Sequence, residues 1–184
     1  MPIEIERKFL VKSDGWMDHK KDVSIIVQGY LSTDPNRTIR VRTVRDRYGY
    51  LCIKGLKQNL SAKEDEVEIS YDSAQKILKL CGEMTIAKLR YRVPWEDLIF
   101  EIDVFSGRHD GVIIAELELP SEDHQFKTWP DWLGEDVTSI FRLSNAWMAE
   151  YGIPTIYAEK SAVKETLKER SKRMGPKRGE RATQ

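Results

Sequence analysis

The sequence predicts a mainly β fold (α+β), with eight antiparallel strands and a few helices covering them. Two observations carry this. Short segments of alternating apolar and polar residues run from residue 3 to residue 119, and turn-forming residues separate them. A third observation, the parity of the charges, says what one face of those strands is for.

The first strand is expected from Ile3 to Val11 and ends before Asp14-Gly15. The second runs from Val23 to Leu31, and Asp34-Pro35-Asn36 turns it into the third, Arg37 to Val44. Residues Asp46 to Gly49 lead into the fourth, Tyr48 to Gly55, and Glu64 to Ser70 is the fifth. Alternation then gives way to helical spacing between Asp72 and Leu80, where Ala74, Ile77 and Leu78 share a face. Asp72 or Ser73 is the expected N-cap of this helix, and Gly82 ends it. Strands resume at Met84 to Trp95 and Leu98 to Phe105, and after the turns from Ser106-Gly107 to Asp110-Gly111 the last runs from Val112 to Leu119. A second helix is expected from Ser144 to Tyr151, stopped by Gly152 and Pro154. From Ala158 the chain is lysine, arginine and glutamate with few bulky apolar residues, too little to bury a core. The expected organisation is therefore one domain over 1–157 and a basic tail over 158–184, disordered or a lone helix.

Side chains two apart on a strand point the same way. Glu4, Glu6 and Lys8 therefore share a face against Ile3, Ile5 and Phe9. The split repeats in Arg40 and Arg42, in Lys54, in Glu66 and Glu68, in Lys88, Arg90 and Arg92, in Glu101 and Asp103, and in Glu116 and Glu118. A sheet with one wet face also alternates, but a wet face ordinarily mixes neutral polar residues with charges. Here nearly every strand contributes ionisable residues in pairs, acids and bases segregated strand by strand. If the eight strands close into a barrel, that face lines a tunnel. Like charges so crowded repel unless something neutralises them. Carboxylates are the ligands Mg²⁺ or Mn²⁺ prefers, and lysine and arginine grip phosphate oxygens, so a metal-bound polyphosphate satisfies both sets.

Composition excludes several other classes. Lysine plus arginine equals aspartate plus glutamate at 30 each, which gives no overall bias towards nucleic acid or membrane. No apolar run approaches the roughly 20 residues of a membrane span, and the opening MPIEIERKFLV is not a secretory signal. Cys52 and Cys81 have no metal-type spacing and suit a reducing cytoplasm, where both serve as small packing residues. His19, His109 and His124 lie in expected loops and are read as surface residues, and the tryptophans as packing.

Glu4-Ile5-Glu6-Arg7-Lys8 resembles the E-x-E-x-K signature of the CYTH domain, the triphosphate tunnel metalloenzymes. The resemblance continues in order through Gln28-Gly29-Tyr30-Leu31, Ile39-Arg40-Val41-Arg42, Ile53-Lys54-Gly55, Glu66-Val67-Glu68-Ile69, Lys88-Leu89-Arg90-Tyr91, Phe100 to Gly107 and Glu116-Leu117-Glu118. It implies a closed eight-stranded antiparallel tunnel with a charged lumen, covered by a few helices, and Mg²⁺ or Mn²⁺ as cofactor. The short bacterial members that open with EIERKFLV look like inorganic triphosphatases, which cleave triphosphate to pyrophosphate and orthophosphate. Relatives include thiamine-triphosphatases and class IV adenylyl cyclases, and a non-catalytic polyphosphate- or nucleotide-binding module is a further alternative.

With the resemblance in hand, Glu4, Glu6, Glu116 and Glu118 are the expected metal ligands, and Lys8, Arg40, Arg42, Lys54, Lys88 and Arg90 the expected phosphate-binding residues. Glu66, Glu68, Glu101 and Asp103 are expected to support the metal from a second shell, or to pair with the lumen arginines. Lys88 and Tyr30 match a lysine–tyrosine dyad proposed in short bacterial relatives to handle the proton, and a metal-bound water activated by Glu116 or Glu118 is the competing reading. The expected partner is a small triphosphate-containing anion, neither nucleic acid nor membrane, with a homodimer left open. The chain departs from its relatives at Arg142-Leu143-Ser144-Asn145, where many carry an aromatic second residue, and at Lys63, where an arginine is common.

Overall fold

A computed structural model describes residues 3–56 and 60–158, and the expected tail from residue 159 onward lies outside the described residues. The strands are β1 (Ile3–Val11), β2 (Asp22–Ser32), β3 (Arg37–Val44), β4 (Tyr48–Gly55), β5 (Ser61–Ile69), β6 (Thr85–Trp95), β7 (Leu98–Phe105), β8 (Ile113–Glu118) and β9 (Leu133–Asp136). The helices are α1 (Tyr71–Cys81), α2 (Asn145–Tyr151) and α3 (Thr155–Ala158). All pairings are antiparallel and run β5-β4-β3-β2-β6-β7-β8-β1, after which β1 pairs with β5 and closes the ring.

Closure depends on the two halves of β1. Its start, Ile3 to Ile5, pairs with Ser61 to Lys63 of β5, while its end pairs with β9 on the same edge. β5 therefore begins three residues before the expected Glu64, in a stretch too short to show alternation by itself. Strand β9 was not expected, because four residues centred on Gly134 carry no periodic signal. A Cβ at Gly134 would lie 2.7 Å from the Leu10 carbonyl oxygen, so only glycine lets β9 approach β1 this closely.

The apolar face of the strands points outward, under the helices and loops. Helix α1 packs Ala74, Leu78 and Cys81 on that outer face at Val41, whereas α2 packs Met148 and Ala149 over Ile86, Phe105 and Ile114, which share the inward parity of Lys88, Asp103 and Glu116. Phe9, Phe100, Trp16 and Trp132 form a third cluster beneath the loops, in keeping with the packing role expected of the tryptophans. The N-cap of α1 is Ser70 rather than Asp72 or Ser73: its hydroxyl accepts from the Ser73 amide at 3.1 Å, because β5 stops one residue early. Asp72 instead pairs with Lys76 on the surface. His109 is buried, not exposed. A helical turn over Gly107–His109 brings its Nε2 to 2.8 Å from the Met148 carbonyl oxygen, and Arg108 donates to the Ala149 carbonyl, so both residues hold the last turn of α2. No helix among the described residues is long and apolar enough to cross a membrane.

Candidate active site

Closing the ring turns the charged face of the strands inward around a cavity of about 1120 Å³. β1 contributes Glu4, Glu6 and Lys8, β3 Arg40 and Arg42, β4 Lys54, β6 Arg90, β7 Glu101 and β8 Glu116 and Glu118. Arg92 also lines it and is exposed, as a residue at the mouth should be. Among the described residues the lining holds eight carboxylates and six cationic side chains.

The carboxylates of β1 and β8 meet by register. Glu6 stands directly opposite Glu118, and Lys8 opposite Glu116. Like charges directly opposite on adjacent strands destabilise a sheet, so this corner lacks positive charge. Lys8 supplies part of it, with Nζ 2.6 Å from Glu116 Oε1 and 3.1 Å from Glu6. Arg90 takes the other oxygen of Glu116 at 2.5 Å and also pairs with Glu101 and Asp103. Burial would raise the Glu116 carboxyl, but Lys8, Arg90 and Lys88 hold it well below the usual carboxylate range. Glu4 goes the other way. Burial, reinforced by Glu6 and Glu64, outweighs its contact with Lys54 and pushes it up to about 7.

Continuing around the ring from the β5 edge that joins β1, strands β5, β4 and β3 form a basic wall. Arg40 pairs with Glu64 and Glu66, Arg42 with Glu66 at 2.7 Å, and Lys54 with Glu64 at 3.0 Å. Burial opposes ionisation of Glu64, yet Lys54 and Arg40 hold it at about 2. The Nε–H groups of Arg40 and Arg42 are buried without a hydrogen-bond partner, two donors left over for an anion. Glu64 was not among the expected site residues, although it lies two residues before Glu66 and so shares its face on β5.

The two walls differ in the sign of their imbalance. Cys52, Glu64 and Glu66 bring their donor atoms within 4.8 Å of one another. The Cys52 thiol is nevertheless pushed by burial up to about 12 and donates to Glu64 at 3.2 Å, while both glutamates already face guanidinium groups. The group fits a divalent ion poorly. Glu4, Glu6, Glu116 and Glu118 line the same cavity from β1 and β8, with Glu6 directly opposite Glu118, and their carboxylates are the donors a hard divalent ion prefers.

Not every expected site residue reaches the cavity. Glu68 is exposed at the end of β5, and it does not line the space. Asp103 is fully buried behind the wall, its Oδ2 accepting from Lys88 Nζ at 2.5 Å and from Arg90 at 2.7 Å. Lys88 is 3% exposed and, like Asp103, does not line the cavity. Burial, with Arg90 beside it, lowers Lys88 to about 8 despite Asp103. Tyr30 does line the cavity, and burial pushes its phenol up to about 12. Asn145, at the start of α2, reaches the lining with its Nδ2 3.5 Å from Glu116, one of the polar residues that charge parity alone did not mark.

The description of the CYTH domain matches residues 2–150. The chain is 42% identical over 144 residues to an inorganic triphosphatase of Acetivibrio thermocellus, covering 78% of this chain and 90% of that protein. It is 32% identical over 148 residues to an inorganic triphosphatase of Nitrosomonas europaea, covering 79% of this chain and 96% of the relative. A crystal structure of an inorganic triphosphatase superposes with a TM-score of 0.58 at 31% identity, over 81% of this chain and 95% of its own. A conserved protein from Pyrococcus furiosus shares the fold, with a TM-score of 0.52 at 22% identity over 65% of this chain and 80% of that one. The ring of inward charges, the strand motifs and these matches agree, and the chain belongs to the CYTH domain family.

Proposed function

We propose that this protein is an inorganic triphosphatase that binds triphosphate in the tunnel with a divalent metal ion and cleaves it to pyrophosphate and orthophosphate. The observation that carries the reading is a lumen with two opposite needs: a basic wall with unpartnered guanidinium donors facing an acidic corner short of positive charge. Relatives at 42% and 32% identity that are inorganic triphosphatases support it. In the tunnel Arg40, Arg42 and Lys54 hold phosphate oxygens from one side, with Lys8 and Arg90 on the other. Glu4, Glu6, Glu116 and Glu118 would hold Mg²⁺ or Mn²⁺. When bound, such an ion supplies the positive charge the lining lacks and polarises phosphate oxygens. The protein works in the cytoplasm, a compartment that suits two free, buried cysteines.

Hydrolysis needs a group that accepts a proton near neutral pH. Lys88 meets that need at about 8. Its deprotonation dissolves the ion pair with Asp103 and frees the amine to turn towards the lumen. The cations that remain offset the charge building on the leaving pyrophosphate.

Phosphorus NMR on the purified protein tests this, with inorganic triphosphate, ATP or thiamine triphosphate and Mg²⁺, Mn²⁺ or EDTA. Metal-dependent pyrophosphate plus orthophosphate from the inorganic substrate supports the proposal. Cyclic AMP from ATP, preference for thiamine triphosphate, or binding without turnover would each replace it.

A further inference from the structure

Strand β2 interrupts an ionic lining with four uncharged side chains, Ser24, Ile26, Gln28 and Tyr30. Gln28 and Tyr30 are 1% and 4% exposed, and Gln28 Nε2 donates to the Tyr30 hydroxyl oxygen at 3.0 Å. Arg40 stands directly opposite Tyr30 in the β2–β3 register, and its positive charge acts on the same phenol. A guanidinium has only donors, whereas a phenol has one proton to give and two lone pairs to receive with. With Gln28 donating to the hydroxyl oxygen and a cation beside it, the phenol's proton has to point away from both. Glu116, whose charge acts on it, is held by Lys8 and Arg90, and among the described residues no hydrogen bond joins it to Tyr30. What is left in front of the hydroxyl is the cavity.

We infer that Gln28 is a positioning residue which, with Arg40, turns the Tyr30 O–H into the tunnel, where it donates a hydrogen bond to a phosphate oxygen. Tyr30 is then a substrate-binding donor and not the acceptor of the water's proton. Its burial, which keeps the phenol protonated at any physiological pH, agrees with that role. The inference rests on the triphosphatase reading for the identity of the acceptor.

Gln28→Glu is the decisive substitution, since a carboxylate only accepts. Arg42, opposite position 28 in register, keeps it ionised, and it draws the Tyr30 proton inward. Steady-state hydrolysis of inorganic triphosphate is measured for wild type, Gln28→Glu, Tyr30→Phe and the double variant. Each single variant is expected to lose about 10- to 100-fold in kcat/KM, the range of one hydrogen bond to a charged group. The double variant is expected to lose no more than either, and the limb of the pH–rate profile near 8 to persist in Tyr30→Phe. Losses that multiply, a fully active Gln28→Glu, or a pH limb that disappears with Tyr30 would overturn the assignment. If the wild type binds triphosphate without hydrolysing it, the triphosphatase reading fails, and the same cycle run on calorimetric affinity decides the orientation of Tyr30 by the same criteria.

Discussion

Replacing Asp103 with asparagine tests the electrostatic construction of the tunnel wall without reference to catalysis. Asp103 is fully buried, and three contacts converge on it: Lys88 Nζ at 2.5 Å and Arg90 Nη2 at 2.7 Å on Oδ2, and Arg90 Nε at 2.7 Å on Oδ1. Asparagine keeps one acceptor and turns an amide donor towards a cation. Removing one partner of a buried ion pair costs about 3–5 kcal/mol, out of a total stability of about 5–15 kcal/mol. The loss also depends on pH. Lys88 holds its proton less tightly in the fold than in the unfolded chain, about 8 against 10.5, so the unfolded state binds more protons as pH passes 8 and stability rises. Without Asp103, burial and Arg90 act unopposed and the rise starts lower. The gap between variant and wild type is then widest at pH 6 and narrows towards pH 8, by at most about 1.4 kcal/mol per pH unit for one proton. Above pH 8 it stays constant. Urea unfolding at pH 6 and pH 8.5 measures both. A gap below about 1 kcal/mol at pH 6, or one that does not change with pH, would refute the reasoning.

Other predictions follow from the same geometry. If neutral Lys88 takes up the proton, kcat rises with pH through about 8, and Lys88→Met is slow and lacks that limb; a limb retained in the variant contradicts the role. Because burial pushes Glu4 up to about 7, protons compete with the metal there: affinity weakens below pH 7 and binding releases a proton, whereas Glu4→Gln loses this dependence. Calorimetry in buffers of different ionisation enthalpy reads it, and affinity unchanged from pH 5.5 to 8 argues against Glu4 as a ligand. At Gly29 a Cβ would meet Cys81 Cβ and Sγ at 2.8 Å and Leu78 at 3.1 Å, so Gly29→Ala pushes α1 off the barrel and costs about 1–3 kcal/mol. An unchanged melting temperature would mean that α1 is not seated there.

The strands and the direction of their charged side chains were legible because a period of two is a property of the backbone, written directly into the positions of Glu4, Glu6, Arg40 and Arg42. Depth was not. Lys88 and Arg90 share a face, yet Arg90 lines the cavity while Lys88 is buried against Asp103, next to the apolar residues that α2 covers. Glu68 has the parity of Glu66 but falls beyond the lumen at the end of β5. The contact that closes the ring, Ile3 to Ile5 on Ser61 to Lys63, joins residues distant in sequence through a segment too short to show a pattern. Gln28 and Asn145 lie in stretches compared with the family but were not read as site residues, because uncharged residues carry no parity signal; their hydrogen bonds mark them.

The central claim is that the acidic corner between β1 and β8 holds the metal and the basic wall holds the phosphate. Anomalous scattering from Mn²⁺, in crystals grown with inorganic triphosphate, tests it most directly. The account predicts a manganese peak among Glu4, Glu6, Glu116 and Glu118, with triphosphate oxygens on Arg40 and Arg42. A peak at Cys52, Glu64 and Glu66, or none in the tunnel while activity remains metal-dependent, would contradict it.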